Sequence, residues 1–222
     1  MSSAVIQLLV LAGIAIFLIL RLRSVLGSRE GFEKPPLPMG GGGDTARSPR
    51  RDFEVIDGGV DRDITDHVDD GTEAAKALAA MKMAEPGFHV GEFLQGARGA
   101  YEMILMAFEQ GDMESVQAFI SDDVYETFAE VIKARDEQGL SIEASFVGVR
   151  EVSLTEATFD RDTQTGDVTV RFVGELTSVV RNAEGEIVEG DPNAIKRQKD
   201  VWTFSRVMGT GDPNWQLVAT GE

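Results

Sequence analysis

At Gly139 the spacing of apolar residues changes from three or four to two, which dictates a helical part followed by a sheet. Upstream of it, Phe93, Ala97, Ala100, Tyr101, Ile104, Leu105 and Phe108 fall on one face of a helix, and that face has to be buried. Gly111 and Asp112 break the run. Asp112 is expected to cap a second helix carrying Val116, Phe119 and Ile120. Ser121 or Asp122 is expected to cap a third, carrying Val124, Tyr125, Phe128, Val131 and Ile132. Downstream, Val168, Val170, Phe172, Gly174, Leu176 and Val180 alternate with Thr169, Arg171, Glu175, Thr177 and Arg181, the pattern of a half-buried antiparallel strand. An earlier strand is expected over 142–159, bulged between Gly148 and Glu151, with a turn over 160–167. Later strands are expected at 201–207 and 215–220, joined through Asp212, Pro213 and Asn214. The fold class is therefore α+β, with helices packed on a curved four-stranded antiparallel sheet.

The N-terminal third reads differently. From Ala4 to Leu20 every residue except Gln7 is apolar or glycine, and a helix of this length spans about 25 Å, at the short end for crossing a bilayer. Ala4, Leu8, Leu11, Ile14, Phe17 and Leu20 mark the expected membrane anchor. A cleaved signal peptide carries positive charge ahead of its apolar run, whereas here Arg21, Arg23 and Arg29 follow it. The expected element is an uncleaved transmembrane anchor over residues 1–23, with the N-terminus outside and the arginines and everything beyond them in the cytoplasm. Residues 24–71, with Pro35, Pro36, Pro38, Gly40 to Gly43, Gly58, Gly59 and Gly71, read as a flexible linker. Within it Phe53, Val55 and Ile56 alternate with acids, as a docking motif would, although a solvated linker with a few apolar residues is the plainer reading. A short amphipathic helix is expected over 72–87, capped by Thr72 and bearing Ala74, Ala77, Leu78 and Met81; the folded domain occupies 88–222.

Charge and motif content exclude several functions. Basic residues outnumber acidic ones by four over residues 1–51, while the remainder carries −21 of the total −17. A body this acidic is unsuited to nucleic acid, whose binding depends on neutralising phosphates with Lys and Arg. There is no cysteine, hence no disulfide and no thiolate chemistry. The loop from Asp160 to Asp167 misses the calcium-binding pattern, because its glycine comes one position late and Arg171 stands where a bidentate glutamate belongs. His67 and His89 lack metal-ligand spacing, and no phosphate loop, nucleophile elbow or dinucleotide fingerprint occurs. No cofactor, metal or catalytic residue is assigned. Asp200 reads as a solvated carboxylate, and Tyr101 and Tyr125 as core aromatics anchored by their hydroxyls.

Two stretches carry a family resemblance. Phe93, Leu94, Ala97, Tyr101, Ile104, Ala107, Phe108, Gly111, Asp112, Ser121, Val124, Tyr125, Phe128 and Arg135 resemble the helical part of the Tim-forty-four-like family, which includes the adaptor of the mitochondrial presequence translocase. Trp202 to Arg206 followed by Asp212, Pro213, Asn214, Trp215 and Leu217 are similar to the sheet signature of its alphaproteobacterial relatives, called TimA. The resemblance covers about residues 88–222. It implies a cone resembling nuclear transport factor two with an apolar pocket, a core containing Phe93, Tyr101, Phe108, Tyr125, Phe128, Trp202, Phe204 and Trp215, membrane association, and an adaptor role without catalysis. Mitochondrial members of the family couple a DnaK-type chaperone to a channel and touch cardiolipin. This chain is expected to depart from them in carrying its own membrane anchor, in having no long charged chaperone-binding segment, and in its acidic domain. The expected protein is a single-pass component of the bacterial inner membrane. Its cytoplasmic domain is expected to bind a protein partner, a membrane protein or a DnaK-type chaperone, in protein transport or membrane-protein assembly. The alternatives are a module binding a lipid or other apolar small molecule in the cone pocket, and a cone-fold enzyme using a pocket carboxylate.

Overall fold

The computed structural model describes residues 61–221. The anchor expected at 4–20, its flanking arginines and the linker up to residue 60 lie outside the described residues. Among the described residues no helix is long and apolar enough to cross a membrane. Four α-helices come first: α1 (Arg62–Thr65), α2 (Glu73–Ala84), α3 (Val90–Gln110) and, after a 3-10 helix at Glu114–Phe119, α4 (Asp122–Glu137). Strands β1 (Ser141–Asp160), β2 (Thr165–Arg181), β3 (Ile187–Gly190), β4 (Lys196–Val207) and β5 (Gln216–Gly221) follow. All their pairings are antiparallel, in the order β1-β2-β4-β5, with β3 added to β2 beyond the end of β4.

Helix α3 is the axis of the domain. It buries Phe93, Leu94, Ala97, Tyr101, Ile104 and Leu105 and stops at Gly111, whose φ of 77° is the left-handed conformation that a β-carbon penalises. Opposite it, Val170 pairs with Leu154 and Trp202, and Phe204 with Val168 and Leu217, so the even-numbered residues of β2 and β4 face the helices. Register shifts at Phe146/Gly148, Val149/Glu151 and Leu154/Glu156 bend β1, the second falling within the bulge expected from the sequence. Helix α2, capped by Thr72 Oγ1 accepting from the Ala75 N–H at 3.2 Å, packs on β1 and buries Leu78 and Met81 completely. Gly166 makes room for Met81, whose Cε would lie 2.9 Å from a β-carbon there.

Four expectations are corrected. The second helix is a 3-10 helix, with Asp112 Oδ1 accepting from the Ser115 N–H at 3.4 Å, and it buries Val116 and, just after it, Ile120. A fifth strand, β3, is exposed along its whole length and so carries no alternation to read. At the end of β2 it is Val179 that is buried and Val180 only partly, because the neighbouring strand changes there from β4 to β3.

The fourth correction concerns residues 61–71, expected to be linker. Ile64 in α1 is buried in the core, and Asp63 bonds to the start of α3. His89 precedes α3 but offers no side-chain cap, so Asp63 supplies one from a distant position in the chain: its carboxylate accepts from the Val90 N–H at 2.9 Å and the Gly91 N–H at 3.1 Å. Lys82 Nζ lies 2.8 Å from both Asp61 and Asp63. Burial alone pushes the Asp63 carboxyl up, but the Lys82 ammonium and the two N–H donors overrule it and hold it at about 2. We expect Asp63→Ala to cost about 1–2 kcal/mol at neutral pH. A carboxyl depressed in the folded state contributes stability that is whole above its ordinary value of 3.8 and is lost as the pH falls toward about 2. Urea titrations of the two proteins should therefore differ by a constant amount down to about pH 4 and converge below it.

Candidate functional site

The eight aromatic residues expected to form one core all belong to one hydrophobic cluster or pack against it, and they occupy three regions of it. Tyr101 and Trp202 are deep, with Tyr101 stacked on Phe172 at 4.5 Å between ring centres and 4.8 Å from Trp202. Phe108 and Phe128, 4.8 Å apart, join α3 to α4, and Tyr125 lines a shallow acidic hollow beside them with Asp112, Glu114 and Asp136. Phe93, Phe204 and Trp215 form part of an open groove of about 500 Å³.

The groove is built from three segments. Its floor is one face of α3, where Phe93 and Ala97 alternate with Gly96, Gly99, Ala100 and Met103. One wall is the α2–α3 connection from Glu85 to His89, and the other comprises Phe204 and Arg206 of β4 with Pro213, Asn214 and Trp215. Phe93 lies 4.6 Å and Phe88 5.7 Å from the Trp215 ring. Gly96 and Gly99 are exposed, and a β-carbon on either would meet nothing within 4 Å. Mid-helix glycine costs about 0.8–1 kcal/mol relative to alanine, so this face is kept low at the expense of helix stability. Gly96→Ala and Gly99→Ala should each raise the urea midpoint, by about 0.5–1 kcal/mol of stability, without disturbing the core.

Arg206 ties the two walls together. It is 9% exposed and donates to Glu85 Oε1 at 2.6 Å and to the Pro213 carbonyl at 3.3 Å, while its guanidinium carbon lies 5.1 Å from the centre of the Trp215 ring. The other Glu85 oxygen accepts from the Gly209 N–H at 2.9 Å. Arg206 Nε is buried and without a hydrogen-bond partner among the described residues. A guanidinium can fork to two acceptors and stack on a ring at once, which an ammonium cannot. Glu85 neutralises it, so the groove presents an apolar floor with Glu92 and His89 at its rim rather than an anion site. In the sequence Arg206 figures only as part of the family's sheet signature, yet it continues the inward-facing series Trp202, Phe204, where a charge demands a partner.

Asp200 is a correction at this level. It is buried rather than solvated, accepting from Tyr101 Oη at 2.6 Å and from Gln198 Nε2 at 3.1 Å. Burial and then the hydrogen bond to this carboxylate push the Tyr101 hydroxyl far up, so it stays protonated and acts as a strut. The pair does not line the groove. His89 Nδ1 lies 3.7 Å from Asp63, and among the described residues no group of three or more His, Asp or Glu is placed to hold a metal ion.

Comparison with known proteins places this architecture. Residues 74–222 match the Tim44-like domain. The chain belongs to that family. It is 27% identical over 168 residues to the human protein named mitochondrial import inner membrane translocase subunit TIM44, covering 71% of this chain and 36% of the relative. The corresponding protein of Rattus norvegicus is 26% identical over the same shares, and TIM44-1 of Arabidopsis thaliana 23% identical over 66% of this chain and 32% of its own. This Tim44-like chain thus spans about a third of the length of these curated relatives. Among solved structures, the intermembrane-space region of the chloroplast protein ARC6 is similar with a TM-score of 0.38 and 11% identity, covering 59% of this chain and 92% of that one, too distant to bear on function.

Proposed function

We propose that the Tim44-like domain is a non-catalytic docking module which binds a protein partner of a membrane-bound transport or assembly machinery, and that residues 4–20 anchor it in the bacterial inner membrane with the domain on the cytoplasmic side. The family membership over residues 74–222 carries the reading, since its curated relatives are named as subunits of an inner-membrane translocase. The groove supports it: an apolar floor with exposed mid-helix glycines suits a partner that approaches α3 closely. Capture of the full chain from detergent-solubilised membranes should yield a stoichiometric membrane protein or chaperone. Gly96→Leu, which fills the groove where nothing lies within 4 Å, should lose most of it. Reproducible capture of no partner would count against docking, and digestion of the domain by protease outside intact spheroplasts against the topology.

A second reading is favoured by the volume of the groove, about 500 Å³ and largely apolar, which suits a lipid tail or another apolar small molecule. Native mass spectrometry of the purified chain would then show a bound mass that Gly96→Leu removes.

A further inference from the structure

We propose that the start of β1, from Ile142 to Phe146, pairs edge to edge with the same stretch of a second copy, joining two sheets about a two-fold axis at Ala144. Among the described residues the outermost strands in the order β1-β2-β4-β5 are β1 and β5, and only one of them is closed throughout. β5 is six residues long, and Ile120 bridges to its Leu217, whose carbonyl accepts from the Ser121 N–H at 2.9 Å. β1 is twenty residues long; from Phe146 onward three register shifts break it, and Arg98 Nη2 donates to the Val149 carbonyl at 3.1 Å. Bulges and covered backbone groups close an edge to further strands. The stretch from Ser141 to Phe146 is in unbroken register and contains no lysine, arginine or proline. Its inward-facing Ile142, Ala144 and Phe146 are only half-buried.

Charge and register name the occupant. Residues 140–150 carry one acid, Glu143, and one base, Arg150, in a chain of net charge −17. Glu143 is itself held by Arg181 at 2.9 Å, so two copies that repel elsewhere meet here without penalty. Paired residues of antiparallel strands face the same side, which restricts the register to partners of like parity. An axis at Ala144 sets Ile142 against Phe146 of the second copy and Glu143 against its Ser145, and it carries the apolar inner row across the joint. An axis at Glu143 would oppose two like charges, and one at Ser145 would leave Ile142 unmatched. A strand pair this short buries less than the roughly 1,600 Å² of a standard interface, so the dimer is reversible. No residue of β1 lines the groove, and each copy keeps its docking site free.

Light scattering of the full chain in detergent should show a dimer that dissociates on dilution. Ser145→Glu sets a carboxylate against Glu143 of the second copy at two symmetric places and should weaken the dimer at least tenfold. Glu143→Lys combined with Ser145→Glu makes both contacts attractive and should restore it. Both positions are exposed, so the fold is spared. The chain has no cysteine of its own, which allows a second measurement. Ala144→Cys should form a disulfide between chains under mild oxidation at least tenfold faster than Val131→Cys, although position 131 on α4 is the more exposed at 46%. A monomer at every concentration, a dimer indifferent to Ser145→Glu, a double variant that restores nothing, or equal rates for the two cysteines would each overturn the proposal.

Discussion

Tyr101→Ala is expected to cost about 4–8 kcal/mol, the largest loss of stability among the substitutions considered. The ring is fully buried, stacked on Phe172 and tilted against Trp202, and truncating such an aromatic costs about 3–5 kcal/mol. The same change removes the hydroxyl that donates to Asp200 and strands a buried carboxylate with Gln198 alone, which adds about 1–3 kcal/mol. A domain of this size is commonly stable by only about 5–15 kcal/mol, so the two losses consume much of it. Tyr101→Phe separates them: it keeps the ring and should cost about 1.5–3 kcal/mol for the hydrogen bond to a charged group. Urea denaturation followed by circular dichroism and tryptophan fluorescence reads both. Gly174 provides an independent check, because a β-carbon there would lie 2.6 Å from the Tyr101 hydroxyl oxygen. Gly174→Ala should be destabilising by about 1–3 kcal/mol in the wild type and clearly less so beside Tyr101→Phe. Additive effects would mean that the clash is not with the hydroxyl.

Arg206→Met should be the next most damaging change, at about 2–4 kcal/mol. Breaking a buried ion pair typically costs about 3–5 kcal/mol, and here Glu85 is partly exposed and keeps the Gly209 N–H, which lowers the figure. The effect should also be local. With the guanidinium gone, the connection between α2 and α3 loses its link to the Pro213 carbonyl and to Trp215 on the opposite wall. Hydrogen exchange should accelerate at residues 85–89 and 209–215 more than in the centre of β2. Arg206→Lys should not rescue the protein, because an ammonium cannot reproduce the fork and the stack together. Equal acceleration throughout the domain would show that Arg206 supports the whole core rather than this groove.

How far the residues alone disclosed this arrangement depends on the range of the interactions. The face of α3, the Gly111 stop, the Ser121 cap and the alternation in β2 and β4 are local patterns, and each is where its spacing puts it. Asp63 capping α3 joins residues 27 apart, and no periodicity marks such a contact, so the stretch around it passes for linker. Asp200 and Arg206 were partly legible. Both sit at even positions of a strand whose even positions are buried, and a charged group there signals a hidden partner without naming it. Gly96 and Gly99 stand in plain sight, but only the surroundings of α3 distinguish an open groove from packed glycine.

The attachment of Asp61 and Asp63 also decides how the domain bears a load. A pull delivered through residue 60 meets the contacts of Lys82 and the first turn of α3 before it reaches any strand of the sheet. Those few bonds form a tear strip: under tension they yield one after another, freeing Ile64 and the end of the groove, while the long ladder between β1 and β2 stays unloaded. A domain fastened in this way behaves as a mechanical fuse, whose rim gives way well before its core.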